Sequence, residues 1–162
     1  MIETVLFLCT GNSARSILAE CLLNTIAEGR FRAVSAGSQP AGTVNPFALD
    51  LLDSRGFDTG GLYSKNWNAF DLDSGGPRID LVITVCDSAA AETCPVWPGH
   101  PLSAHWGLPD PAAVTGSDAD KRAAFEATFD AIEARITAFL ALDWAHLDRA
   151  KRRAELQRIG TL

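Results

Sequence analysis

The stretch Val5-Leu6-Phe7-Leu8-Cys9-Thr10-Gly11-Asn12-Ser13-Ala14-Arg15-Ser16 joins a continuously apolar run to a short polar loop and then to the start of a helix. Four consecutive apolar residues stopped by a turn signal predict a strand buried on both faces. From about Ser13 to Ala27 the residues Ile17, Leu18, Cys21, Leu22 and Ile26 recur at helical spacing, and Gly29 is a suitable stop. A buried strand followed by a helix is the opening unit of a parallel α/β sheet, in which ligands bind at the carboxyl ends of the strands. Cys9 stands at such an end.

The loop can hold an anion. Backbone N–H groups of Thr10, Gly11, Asn12, Ser13, Ala14, Arg15 and Ser16, together with the helix N-terminus, form a cradle for a tetrahedral oxyanion. Arg15 adds a planar fork that can bind two oxygens at once. An ordinary thiol is only a few per cent thiolate at neutral pH, and the same positive field favours the thiolate of Cys9. Gly11 permits the tight path, and Ser16 can donate a hydrogen bond to the sulfur. The plainer alternative, a core thiol beside a surface arginine, has the strand-end placement and the Gly-Asn-Ser filling against it.

Outward from this stretch, Phe31 to Ser35 reads as a second strand. Asn45-Pro46 opens a helix that ends near Arg55-Gly56, and Ser64 to Phe70 reads as a short helix capped by Ser64. Leu81 to Val85, apolar and β-branched, is a third strand and ends at Cys86. Residues 87 to 116 are rich in Pro, Gly, Ala and His around one strand-like piece, Ala104-His105-Trp106, and so long a weakly structured segment usually carries function. Lys121 to Leu142 is an amphipathic helix with Phe125, Phe129, Ile132, Ile136, Phe139 and Leu140 on one face. After Asp143 the pattern is helical and mixed in charge. Its Arg149, Lys151, Arg152, Arg153 and Arg158 read as a solvated face, with a partner-docking surface as the alternative. The expected fold is a three-layer α/β sandwich around a central parallel four-stranded sheet. Its core domain should span residues 1–142, with a C-terminal helical extension over 143–162.

The chain has 162 residues, with 14 Lys and Arg against 20 Asp and Glu, for a net charge of −6. That balance argues against general nucleic-acid or anionic-membrane binding. Apolar residues at 47% and charged residues at 21% describe a folded globular chain. No apolar run approaches the roughly 20 residues needed to span a bilayer. Met1 to Val5 lacks the basic region of a signal peptide, so a cytoplasmic location is expected, where thiols stay reduced. Cys9, Cys21, Cys86 and Cys94 are then read as core, catalytic or metal-binding before structural disulfides. Cys21, on the apolar face of the first helix, reads as core.

Cys9 to Ser13 with Arg15, Ser16, Ala19 and Glu20 resembles the low-molecular-weight tyrosine phosphatase superfamily, and most closely its thioredoxin-coupled arsenate reductase branch. The likeness continues through Ser35-Ala36-Gly37, Val44-Asn45-Pro46, Asp80 to Asp87, Cys94-Pro95 and His105 to Pro111, over roughly residues 4 to 142 in order. The resemblance implies reduction of arsenate to arsenite, with phosphate and sulfate as competing oxyanions. It implies no bound cofactor or metal, and thioredoxin as the external reductant; glutathione with glutaredoxin, or mycothiol, are the alternatives. It makes Asp110 the general acid, presented on a loop stiffened by Pro109 and Pro111. His105 and Trp106 should fix that loop. Phosphatases of the superfamily typically carry an aromatic residue after the Asp-Pro and a Pro after the loop Ser. Here Ala112 and Ile17 stand at those places, which favours arsenate.

Cys86 and Cys94, with seven residues between them, read as a pair of resolving thiols. The first attacks a Cys9 adduct and the second attacks the resulting disulfide, moving the oxidising equivalent outward. The competing readings are two inert thiols, or a zinc site with His100 and His105, for which the spacing lacks C-x2-C. Ala14 stands where relatives often have another Cys that is not one of the relay thiols. In some relatives an Asn, a Glu, a Ser and an Asp hold a potassium ion; Asn12, Glu20 and Ser35 match, but Lys65 stands near the place of the Asp. Its ammonium could replace the ion by pairing with Glu20 and Asn12, or could be a plain surface charge. His146 carries no signal, and Trp67, Trp97 and Trp144 read as packing. Two other functions fit the cradle: a phosphatase of the same fold, needing Cys9 alone, and an oxyanion- or redox-sensing module without turnover.

Overall fold

The computed structural model describes residues 2–70, 75–87, 89 and 101–162. Four strands, β1 (Glu3–Leu8), β2 (Phe31–Ala36), β3 (Leu81–Thr84) and β4 (Leu102–His105), form one sheet in the order β2-β1-β3-β4. Every neighbouring pair is parallel, and the register aligns Leu8 with Ala36 and with Thr84, and Thr84 with His105. The carboxyl ends of all four strands therefore meet along one rim. Val5 to Leu8 are buried without a break, which alternating side chains allow only when both faces of the sheet are covered. The expected parallel α/β sandwich is the observed one.

Helices α1 (Arg15–Ile26), α2 (Pro46–Ser54), α3 (Asp118–Leu140) and α4 (Arg149–Ile159) surround the sheet. In α3 the residues Phe125, Phe129, Ile132, Ile136 and Phe139 are buried, as their spacing predicts. The helix starts at Asp118 rather than Lys121, because Ser117 and Asp120 close a capping box ahead of the first apolar turn. The strand read at Ala104–Trp106 begins at Leu102, whose N–H binds the Asp80 carbonyl. The expected helix at Ser64–Phe70 is only a 3-10 turn, Trp67–Phe70. Ser64 is not its cap: its hydroxyl accepts from Gly42 N and donates to Gly11 O, and Asn66 Oδ1 instead accepts from Asn68 N at 2.8 Å.

The segment after Asp143 shares the core. Leu156 and Ile159 of α4 are fully buried, and Leu156 O accepts the Trp106 indole N–H at 2.9 Å. Arg135 of α3 donates to Gly160 O and Leu162 O, tying the residues that follow α4 to α3. Arg149, Lys151, Arg153 and Arg158 are exposed. Arg152 departs from that solvated face: it pairs with Glu3 at 3.1 Å, donates to the Leu147 and Trp144 carbonyls and lies over the Trp144 ring. Trp144 packs on Phe31 and Phe139, and Trp67 lies against the core. Trp97 lies outside the described residues. Among the described residues no helix is long and apolar enough to cross a membrane.

Candidate active site

The strand order places the site. The chain runs from β1 to β2 on one side and then to β3 on the other, so β1 and β3 flank the point where the winding reverses, which is where such sheets bind ligands. Cys9 leaves β1 there, and Cys86 follows two residues after β3.

From Cys9 the backbone turns through Asn12, whose φ of 45° is one that Asn tolerates better than most residues. The loop carbonyls are drawn outward. Thr10 O accepts from Gln39 N, Gly11 O from Ala41 N and Ser13 O from Asn45 N, at 2.8 to 3.0 Å. The Asn12 N–H points inward, 3.2 Å from Cys9 Sγ, and Ser16 Oγ stands 2.8 Å from the same sulfur. Helix α1 has no side-chain cap at its N-terminus, so its first N–H groups are available to an anion. Gly37 is a requirement that the sequence reading gave no reason for. A Cβ there would lie 2.3 Å from Thr10 O and 2.7 Å from Cys9 O, so only glycine lets the end of β2 press against the loop. Its signals in the sequence are its place directly after a buried strand and its membership of the Ser35-Ala36-Gly37 motif.

Behind the loop runs a buried polar chain. Asn12 Nδ2 donates to Ser16 Oγ and Ser35 Oγ, both at 2.9 Å, and Ser35 Oγ donates to Glu20 Oε1 at 2.8 Å. Lys65 Nζ lies 3.6 Å from Glu20 Oε1 and donates to the carbonyls of Ser35 and Tyr63 at 2.9 Å. The expected pairing with Glu20 is thus present. Asn12, however, is met by the Lys65 backbone N–H and not by its ammonium. Burial pushes the Glu20 carboxyl up against the opposing charge of Lys65, and pushes the Lys65 ammonium down against that of Glu20. The Lys65 ammonium is thus directed at the Glu20 oxygen and the two carbonyls.

Arg15, at the mouth, donates to Leu108 O at 2.9 Å and stands 3.7 Å from Asp110 Oδ2. Asp110 Oδ1 accepts from Ala112 N, which seats the turn Pro111–Ala113. The structure therefore brings Cys9, Arg15 and Asp110 to one place. Cys86 joins them: its buried sulfur accepts from Thr10 N at 3.4 Å and Ala89 N at 3.4 Å, with Thr10 Oγ1 at 3.7 Å. Cys94 and His100 lie outside the described residues. Among the described residues no three His, Cys, Asp or Glu side chains are grouped to hold a metal. Cys21 is buried away from this chemistry, its thiol pushed up to about 11 by desolvation first and then by Glu20 and Asp58.

A strand-end cysteine, an uncapped helix and an arginine fork define a cysteine-based oxyanion enzyme fold, and the sequence comparison agrees. Residues 4–153 match the family described as low molecular weight phosphotyrosine protein phosphatase, and the chain belongs to that family. It is 36% identical to the arsenate reductase of Bacillus licheniformis over 137 residues, 85% of this chain and 94% of that one. The arsenate reductase structure from Archaeoglobus fulgidus superposes with a TM-score of 0.66 at 28% identity, covering 85% of this chain and 99% of that one. A thioredoxin-dependent arsenate reductase of Corynebacterium glutamicum gives 0.61 at 25% identity, covering 85% of this chain and 60% of that longer one. The family match passes the boundary expected at residue 142.

Proposed function

We propose that this chain reduces arsenate to arsenite by a three-thiol relay. The loop from Thr10 to Ser16 and the Arg15 fork bind the oxyanion, and the Cys9 thiolate attacks arsenic. Asp110 protonates the departing oxygen, which leaves as water, giving a Cys9 S–As(V) bond. The Cys86 thiolate then attacks the Cys9 sulfur. The S–S bond forms as the S–As bond breaks, its electron pair passes to arsenic, and As(III) leaves as arsenite. Cys94 attacks Cys86, freeing Cys9 as a thiolate, and a dithiol reductant cleaves the Cys86–Cys94 disulfide.

The observation that carries this reading is the place of the second thiol. Hydrolysis of a phosphocysteine needs water and one cysteine, yet Cys86 Sγ is held by the N–H of Thr10, the residue next to Cys9. The names of the relatives support arsenate as the substrate and thioredoxin as the reductant. Phosphate and sulfate share the tetrahedral shape and charge, and act as competitors. The test is arsenate-dependent NADPH oxidation coupled through thioredoxin and thioredoxin reductase. Turnover is expected, with a competitive rise in KM for arsenate when phosphate is added. Hydrolysis of an aryl phosphate without any arsenate turnover would instead make the chain a phosphatase.

A further inference from the structure

We propose that His105 is a positioning residue for the second nucleophile, bridging the side chains of Thr84 and Asp87 on either side of Cys86. The inference rests on the arsenate-reducing reading and adds to it a residue that touches no substrate. Cys86 lies between Thr84, the last residue of β3, and Asp87. The His105 ring bridges those two: Nδ1 is 2.7 Å from Thr84 Oγ1 and Nε2 is 2.7 Å from Asp87 Oδ1. With a carboxylate as its partner Nε2 donates, and Nδ1 meets the Thr84 hydroxyl, which also lies 3.4 Å from Ala104 O, so both ring nitrogens are used.

Two further observations show a built arrangement. Gly107 leaves room for the bridge, since a Cβ there would lie 2.6 Å from His105 Nε2 and 2.8 Å from Asp87 Oδ1. The His105 backbone is itself pinned. It pairs in register with Thr84, the next N–H (Trp106) donates to Thr84 O at 2.7 Å, and the Trp106 indole is anchored to α4. The ring thus transmits the rigidity of the strand rim to a turn whose sulfur, among the described residues, is met at 3.4 Å and longer. Attack on the Cys9 sulfur requires Cys86 to lie in line with the S–As bond, and displacements of about 1 Å at a reacting atom are costly.

The test uses Cys94→Ser, which should stop after one turnover at the Cys9–Cys86 disulfide, and reads the single-turnover rate of arsenite release alongside arsenate affinity and Tm. His105→Phe should slow release about fivefold, the upper range for one exposed charged hydrogen bond, with arsenate affinity unchanged. Gln places its amide near Nε2 and Asn near Nδ1. His105→Gln should therefore restore most of the rate by holding Asp87, whereas His105→Asn should resemble Phe. An unchanged rate in His105→Phe, or rates that follow Tm with Gln no better than Asn, would overturn the proposal. If Cys94→Ser alone releases no arsenite, the arsenate-reducing reading fails and takes this inference with it.

Discussion

Glu20 and Lys65 sit behind the oxyanion loop with side chains only 10% and 9% exposed, so each charge depends on the other. Breaking such a pair on one side costs about 3 kcal/mol, because a charge is left in the interior without its partner. In Lys65→Met the opposition to the burial-driven rise of the Glu20 carboxyl is gone, and the carboxyl rises further. A carboxyl raised in the folded state stabilises that state at low pH and loses this contribution as pH climbs through its folded value. Lys65→Met should therefore lower Tm more at pH 8 than at pH 5 in paired thermal melts; equal losses would contradict the account. On the reading that the Lys65 ammonium stands in for the cation some relatives hold, exchanging sodium for potassium at constant ionic strength should leave kcat/KM for arsenate unchanged. A several-fold rise with potassium would count against it. The loop residues were legible because their chemistry is local to a motif, whereas Lys65 was brought to Glu20 only by the resemblance to relatives that hold a cation there, with a plain surface charge as the alternative. That Asn12 meets the backbone of Lys65, and that His105 reaches Asp87 and not the Asp110 loop, follows from how distant segments pair, which no local pattern encodes.

Among the elements, α4 carries the clearest test. A Cβ on Gly160 would lie 2.4 Å from His105 O and 2.9 Å from the Trp106 ring, so the end of the helix rests directly on the rim of β4. Alanine is the better helix former, and at an exposed position Gly160→Ala would stabilise. Here it should lower stability by about 1–3 kcal/mol through overpacking, read as a fall in Tm. At the other end of the neighbouring helix, Ser117→Ala opens the α3 capping box and should cost about 1 kcal/mol in the same measurement. The long apolar stripe of α3 was readable from spacing alone. The docking of α4 was not: only Leu156 and Ile159 are buried among its charges, too few to outline a face. The start of β4 shifted for a related reason, since Leu102 joins the sheet by donating its N–H to Asp80 O and not through its own propensity.

At the scale of the whole molecule, the order β2-β1-β3-β4 turns two cysteines 77 residues apart into neighbours on one rim (86 − 9 = 77). Strand–helix alternation was enough to predict a parallel sheet with strand-end chemistry. The register that sets Cys86 against Thr10 could be known only from the folded chain. The most direct test of the relay is a disulfide map by peptide mass spectrometry after the reduced protein meets one equivalent of arsenate with no reductant present. The account predicts one equivalent of arsenite, a Cys86–Cys94 disulfide, and Cys9 and Cys21 as free thiols. Four free thiols with arsenate unreduced would contradict it.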